Sequence, residues 1–184
     1  RRDLFTALAA IILFGSCMMG EADAEGGPAR ALLEAAEQGD VGAIEKALSA
    51  GVKVDVRDAS GRTALLLATH GNHVAAAKLL IAAGADVNAK DDIQDSAYLY
   101  AGAHGRTEIL KMTLAAGADL KSVNRYGGTA LIPACHYGHV DAVKVLLGTK
   151  IDIDHVNRLG WTALLEAVIL GDGGATHTEI VRLL

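Results

Sequence analysis

A chain of 184 residues with net charge −5 is long enough for one ordinary domain plus a targeting segment, and its acidic balance excludes an electrostatic binder of nucleic acid. With 51% hydrophobic residues, 21% charged residues and only 2 prolines, it is rich enough in core formers to exclude a disordered chain.

The first segment does not read as part of a fold. Arg1 and Arg2 precede the apolar run Leu8 to Phe14, and Ala22-Asp23-Ala24 follows, which is the layout of a secretory signal peptide over residues 1–24 with cleavage before Glu25 and a linker over 25–29. The apolar run is shorter than the roughly 20 residues a membrane span needs, so no stable span is expected in the mature chain. This places the protein in the periplasm or outside the cell. Two variants stay open: Arg1-Arg2 before Asp3-Leu4-Phe5 resembles a twin-arginine signal, and Phe14-Gly15-Ser16-Cys17 loosely resembles a lipoprotein box that would anchor the chain at Cys17. Once the leader is removed Cys135 stands alone, so no internal disulfide can form, and a lone cysteine in an apolar segment reads as a small core residue.

From residue 30 onward the sequence repeats itself. Thr63-Ala64-Leu65, Ser96-Ala97-Tyr98, Thr129-Ala130-Leu131 and Thr162-Ala163-Leu164 recur at intervals of 33 residues. A period of this size marks a solenoid of stacked units. Ala68, Ala101, Ala134 and Ala167 follow at a fixed distance, then Asn72, Gly105, Gly138 and Gly171, residues that close a first helix by accepting the left-handed conformation. A second helix is carried by Val74, Ala77, Leu80 and Ile81, by Ile109, Leu110, Met112 and Leu114, and by Val140, Val143, Leu146 and Leu147. It ends at Gly84-Ala85-Asp86-Val87-Asn88 and its counterparts, where alternation predicts a short extended arm. Turns follow at Asp58 to Gly61, Asn124 to Gly127 and Asn157 to Gly160, with Asp or Asn to bond the local backbone and Gly to supply positive φ.

Thr-Ala-Leu with Ala five residues on, Gly-His-Val, Val-Leu-Leu and Gly-Ala-Asp-Val-Asn resemble the ankyrin repeat over residues 30–184. The resemblance implies an all-α solenoid of helix-turn-helix units joined by β-hairpin loops. The units fall at about 30–61, 62–94, 95–127, 128–160 and an incomplete 161–184, the first being a degenerate cap. Because the last unit stops at Arg182-Leu183-Leu184, inside a second helix, a further unit is expected beyond it. Two substitutions break the pattern: Gln94 where Gly61, Gly127 and Gly160 stand, and Lys150 where Gly51, Gly84 and Gly117 stand. The glycine-rich insertion Asp172 to Thr176 predicts a projecting loop.

No catalytic pattern is present: G-x-S-x-G, a phosphate loop with its lysine and H-E-x-x-H are all missing. His73, His139 and His177 share one position that ankyrin repeats commonly fill with histidine, and His70 and His136 lie two repeats, roughly 20 Å, apart at ~10 Å per helix layer, so no metal site is expected. No cofactor is expected either. The function implied is a non-catalytic, monomeric protein-interaction module that meets another protein through its hairpins and inner-helix face. An envelope accessory stabilising one resident protein, or a secreted effector acting on a host, are the alternatives. Tyr126 and Trp161 flank turn positions where the fold asks for no large apolar group, and Tyr, Trp and Arg anchor interfaces most often. With Arg125, His136, Tyr137, Arg158 and Leu159 they form the candidate binding patch, expected to face an acidic or mixed protein surface.

Overall fold

The structure, a computed structural model, describes residues 27–184; the expected leader over 1–24, with Cys17, and the start of the 25–29 linker lie outside the described residues. The described residues form ten helices in five antiparallel pairs: α1 (Pro28–Gln38) with α2 (Val41–Ser49), α3 (Ala64–His70) with α4 (Val74–Ala82), α5 (Ala97–Ala103) with α6 (Thr107–Ala115), α7 (Leu131–His136) with α8 (Val140–Leu147), and α9 (Ala163–Ile169) with α10 (Ala175–Leu183). First helices stack on first helices and second on second, giving an inner row α1–α3–α5–α7–α9 and an outer row α2–α4–α6–α8–α10. Among the described residues no helix is long and apolar enough to cross a membrane.

The repeated residues explain the repeated shape. Thr63, Ser96 and Thr162 cap α3, α5 and α9 by accepting the N–H of Leu66, Leu99 and Leu165 at 3.2, 3.2 and 3.3 Å. Ala68, Ala101, Ala134 and Ala167 are buried where neighbouring first helices meet, and Leu65, Tyr98 and Leu131 fill the layer beside them. The fourth unit departs: Pro133 has no N–H to give the Thr129 carbonyl, α7 starts a residue later, and the buried Thr129 hydroxyl is left without a partner.

The expected β-hairpin loops are not there. Among the described residues the only β pairing is one isolated bridge, Arg57 with Thr63. The cause is the Asp or Asn at the head of each turn. Its side-chain oxygen accepts two backbone N–H groups of its own loop: Asp58 from Ser60 and Arg62, Asp91 from Ile93 and Asp95, Asn124 from Tyr126 and Gly128, and Asn157 from Leu159 and Trp161. Those donors are therefore spent locally and cannot build a ladder. Each loop keeps two main-chain bonds to its head residue, such as Asp58 N–H to the Arg62 carbonyl and Gly61 N–H to the Asp58 carbonyl, both at 3.0 Å.

Neighbouring loops are joined by isolated main-chain bonds, Asp92 N–H to the Ser60 carbonyl at 3.1 Å and Arg158 N–H to the Tyr126 carbonyl at 2.9 Å, and by side chains reaching one repeat along. Arg57 donates to the Lys90 carbonyl at 2.6 Å and Lys90, its counterpart, to the Val123 carbonyl at 2.8 Å. Asp55 and its counterpart Asn88 accept the N–H of Asp86 and Asp119 at 3.0 and 2.8 Å. Between helices the histidine position does the same work: His73 Nε2 lies 2.9 Å from the Glu37 carbonyl and His177 Nε2 3.0 Å from that of His136. Arg106, at the same position in the third unit, donates to the His70 carbonyl at 3.5 Å. The Gly105 position favours glycine on two counts, since it has φ 63° and a Cβ there would lie 2.7 Å from His139 Nδ1, whereas Asn72 holds the equivalent left-handed backbone at φ 55°.

Of the two pattern breaks, Gln94 keeps the left-handed backbone at φ 68°, a strain of roughly 1 kcal/mol. Lys150 escapes it, because the Thr149 hydroxyl closes α8 on the Leu146 carbonyl at 2.6 Å and accepts the Ile151 N–H. The insertion does not simply project. Ala175 and Thr176 begin α10, and Asp172 folds the rest back by bonding the Gly174 N–H at 2.9 Å and His177 Nδ1 at 2.8 Å.

Candidate functional site

Stacking at a fixed period turns each sequence position into a row on the inner face. One row runs Glu34, Leu67, Tyr100, Pro133, Glu166; a second runs Glu37, His70, Ala103, His136; a third, at the feet of the turns, runs Arg62, Asp95, Gly128, Trp161. Where these rows hold the small or compact residues Ala103, Gly128 and Pro133, a cleft of about 360 Å³ opens across the third to fifth units.

The cleft collects six of the seven candidate residues: Arg125, Tyr126, His136, Tyr137, Leu159 and Trp161. Tyr126, Tyr137 and Leu159 are 52, 58 and 63% exposed, high for groups of this kind. Arg158 is the exception. Its guanidinium donates to the Arg125 carbonyl at 3.0 Å and its N–H to the Tyr126 carbonyl at 2.9 Å, so it ties two loops together and does not line the cleft. Partner contact through β-hairpins, expected from the resemblance, is corrected by the same observations: this surface is made of side-chain-closed turns and inner helices, with no hairpin among the described residues.

Four further groups were missed in the sequence. Glu166 occupies a row otherwise held by Leu67, Tyr100 and Pro133 between the first and last units, yet it is buried, with Oε2 3.0 Å from His136 Nδ1 and Oε1 accepting from Asn157 Nδ2 at 3.1 Å. Asp95 enters from the opposite side, 3.8 Å from the Arg125 guanidinium. Burial, then the neighbouring Asp91, push the Asp95 carboxyl above its ordinary value against the weaker pull of Arg125 and Lys90. Tyr100 and His104 belong to a run of rings crossing the repeats, His70 to Tyr100 and Tyr100 to His104 each at 4.0 Å between centres, then His104 to Tyr137 at 6.3 Å and Tyr137 to His136 at 4.4 Å. Burial, with Arg106 assisting, holds the His104 imidazole below its usual value, so it is uncharged near neutrality. On the cleft's outer lip the Arg125 guanidinium lies 4.9 Å from the Tyr126 ring centre. Aligning the repeats by their period would have exposed Glu166 as a charge following Leu67, Tyr100 and Pro133 in its row, which is the signal that was available.

The chemistry of these groups is recognition. Cys135, beneath the cleft in α7, is buried and its thiol is pushed up to about 12 by burial and by Glu166, so it is no nucleophile. Among the described residues no group of three or more His, Cys, Asp or Glu side chains could hold a metal ion.

Comparison with known proteins decides the family. The ankyrin-repeat profile "Ankyrin repeats (3 copies)" matches residues 7–91, 32–124 and 98–184, together nearly the whole chain and beginning inside the segment read as a leader. The chain belongs to the ankyrin-repeat family. It is similar to an ankyrin repeat domain from Acinetobacter baumannii whose crystal structure is known, with 57% identity, 83% of this chain and 78% of that chain covered, and a TM-score of 0.80. A second ankyrin repeat protein of known crystal structure is 49% identical over 84% of this chain and 79% of that chain, with a TM-score of 0.81. None of the curated proteins matches. Ankyrin membership makes the chain a non-catalytic protein-interaction module.

Proposed function

We propose that this ankyrin module captures a partner protein in the cleft between its third and fifth units. The observation that carries the reading is the convergence of Tyr126, Tyr137, Leu159 and Trp161 on one cleft, with three of them more than half exposed. Apolar rings held open to water by a rigid scaffold lower the free energy when a partner covers them, and they lose little freedom in doing so. His136 and Asn157 fix Glu166, and the loop-to-loop bonds of Arg158 fix the turn that carries Tyr126, so the surface is pre-shaped. Replacing Trp161 or Tyr137 with alanine is expected to weaken affinity for the protein that copurifies from native extract by about 2 kcal/mol or more, roughly thirtyfold, with the unfolding midpoint nearly unchanged. A Trp161→Ala variant that unfolds earlier but binds normally would assign the ring to the scaffold.

We infer further that the module works in the periplasm or outside the cell. Arg1-Arg2, the Leu8 to Phe14 run and Ala22-Asp23-Ala24 support export. The intact mass of the native protein tests this: a chain starting at Glu25 agrees, an acylated Cys17 agrees with the lipid-anchored variant, and the uncleaved segment in a cytoplasmic fraction contradicts both.

A further inference from the structure

We propose that the cleft takes a lysine or arginine side chain of the partner, its cation seated against the aromatic faces of Tyr137 and Trp161 and paired with Glu166, in a cleft to which Asp95 adds a second negative charge. The inference rests on the protein-capture reading and adds the chemistry of the captured group.

The charge balance of the cleft is the first argument. Two carboxylates line it, Asp95 from the third unit and Glu166 from the fifth, against one guanidinium, that of Arg125, the imidazoles of His104 and His136, and no lysine. Both carboxylates are largely withdrawn from water, with side chains 20 and 10% exposed. A desolvated carboxylate is costly unless a cation meets it, and Arg125 meets Asp95 only at 3.8 Å. The upward push on the Asp95 carboxyl records that shortfall. Glu166 accepts one bond on each oxygen, which fixes its direction and leaves each oxygen further capacity to accept.

The walls are the second argument. A basic side chain needs an apolar surface for its stem and a ring face for its head, and Tyr137, Trp161 and Leu159 around the carboxylates supply both. An acidic side chain is the poorer fit. Of the two guanidinium groups that would have received it, only Arg125 lines the cleft, lying over the Tyr126 ring near Asp95, because Arg158 is committed to the Arg125 carbonyl. His104, held uncharged by burial, adds no opposing charge near neutrality.

The test uses capped tripeptides of alanine with lysine, arginine, norleucine or glutamate at the centre, titrated into the protein while the Trp161 indole N–H and the Tyr137 ring are followed by NMR. The lysine and arginine peptides are expected to give saturable shifts, with the norleucine and glutamate peptides at least about tenfold weaker. Glu166→Gln, which keeps a hydrogen-bonding group for His136 and Asn157, is expected to weaken the lysine peptide about tenfold, and Tyr137→Leu several-fold. If Glu166→Gln does not fold, Tyr137→Leu carries the comparison alone. Equal binding of lysine and norleucine would overturn the cation while leaving the cleft a protein-binding surface. No saturable shift with any peptide would also overturn it, and the protein-capture reading would then stand or fall on partner affinity in the Trp161 and Tyr137 variants.

Discussion

The inner face of the solenoid carries two hollows built from equivalent positions, and they differ in almost every side chain. The first, about 390 Å³, lies between the first and second units and is lined by Arg30, Glu34, Glu37, Asp58, Ala59, Arg62 and two leucines. The second, about 360 Å³, is the cleft of the third to fifth units. In the first, both guanidinium groups are taken by carboxylates of the same hollow, Arg30 by Glu34 at 2.7 Å and Arg62 by Asp58 at 2.7 Å, with Glu37 beside them. In the second, Arg62 is replaced in turn by Asp95, Gly128 and Trp161, Ala59 by Arg125, and Glu34 by Pro133 and Glu166. The stacking geometry makes a hollow wherever the repeat runs, and the side chains decide whether it is closed on itself or left to bind.

That conclusion can be broken most forcefully in the core, where the same sequence position meets different surroundings. Leu66 and Leu165 are equivalent; Leu66 is fully buried, whereas Leu165, in the fifth unit, is 40% exposed. Leu66→Ala is expected to cost about 2–5 kcal/mol in a denaturant titration, and Leu165→Ala less than about 1.5 kcal/mol. Equal losses would mean that position in the repeat, and not the local environment, sets the contribution. A smaller effect sharpens the contrast between the hollows themselves. Burial raises the Asp58 carboxyl, but the bonds from Arg62 and Ser60 outweigh it and hold it below its ordinary value of 3.8, whereas burial and Asp91 leave Asp95 above it. Asp58 therefore adds stability above pH 3.8 that disappears as pH falls through its lowered folded value. Asp95 does the reverse: its ionised form opposes folding above its raised value, and the penalty is relieved as pH falls through it. Asp58→Asn is expected to lower the unfolding midpoint at pH 7, and Asp95→Asn to raise it; the same sign for both would contradict the contrast.

The fold was largely legible because it is written many times. The interval between Thr63, Ser96, Thr129 and Thr162, with buried alanine five residues on, specifies stacked helix pairs without reference to any distant contact. The loops were misread for a local reason: alternation at Gly84 to Asn88 and its counterparts predicts an extended arm and the ankyrin resemblance implies a hairpin, but whether Asp58 or the opposite strand takes the loop N–H groups is a matter of geometry. At the cleft, exposed aromatics beside turns could be picked from the sequence because nothing in the repeat calls for them. Arg158 lies apart from the cleft, since its neighbour one period away, Arg125, offers it a carbonyl to bond. Glu166 and Asp95 were passed over because an isolated acidic residue looks like surface until the rows around it are assembled.

The central claim, that the third to fifth units hold the binding cleft, is tested most directly by one measurement at a single repeat position. Arg62 and Trp161 occupy that position in the two hollows. Partner affinity measured by calorimetry for Arg62→Ala and Trp161→Ala, with unfolding midpoints for both, is expected to show a loss of about 2 kcal/mol or more for Trp161→Ala and almost none for Arg62→Ala. Equal losses, or a loss confined to Arg62→Ala, would place the partner on the first hollow or along the whole face and contradict the account.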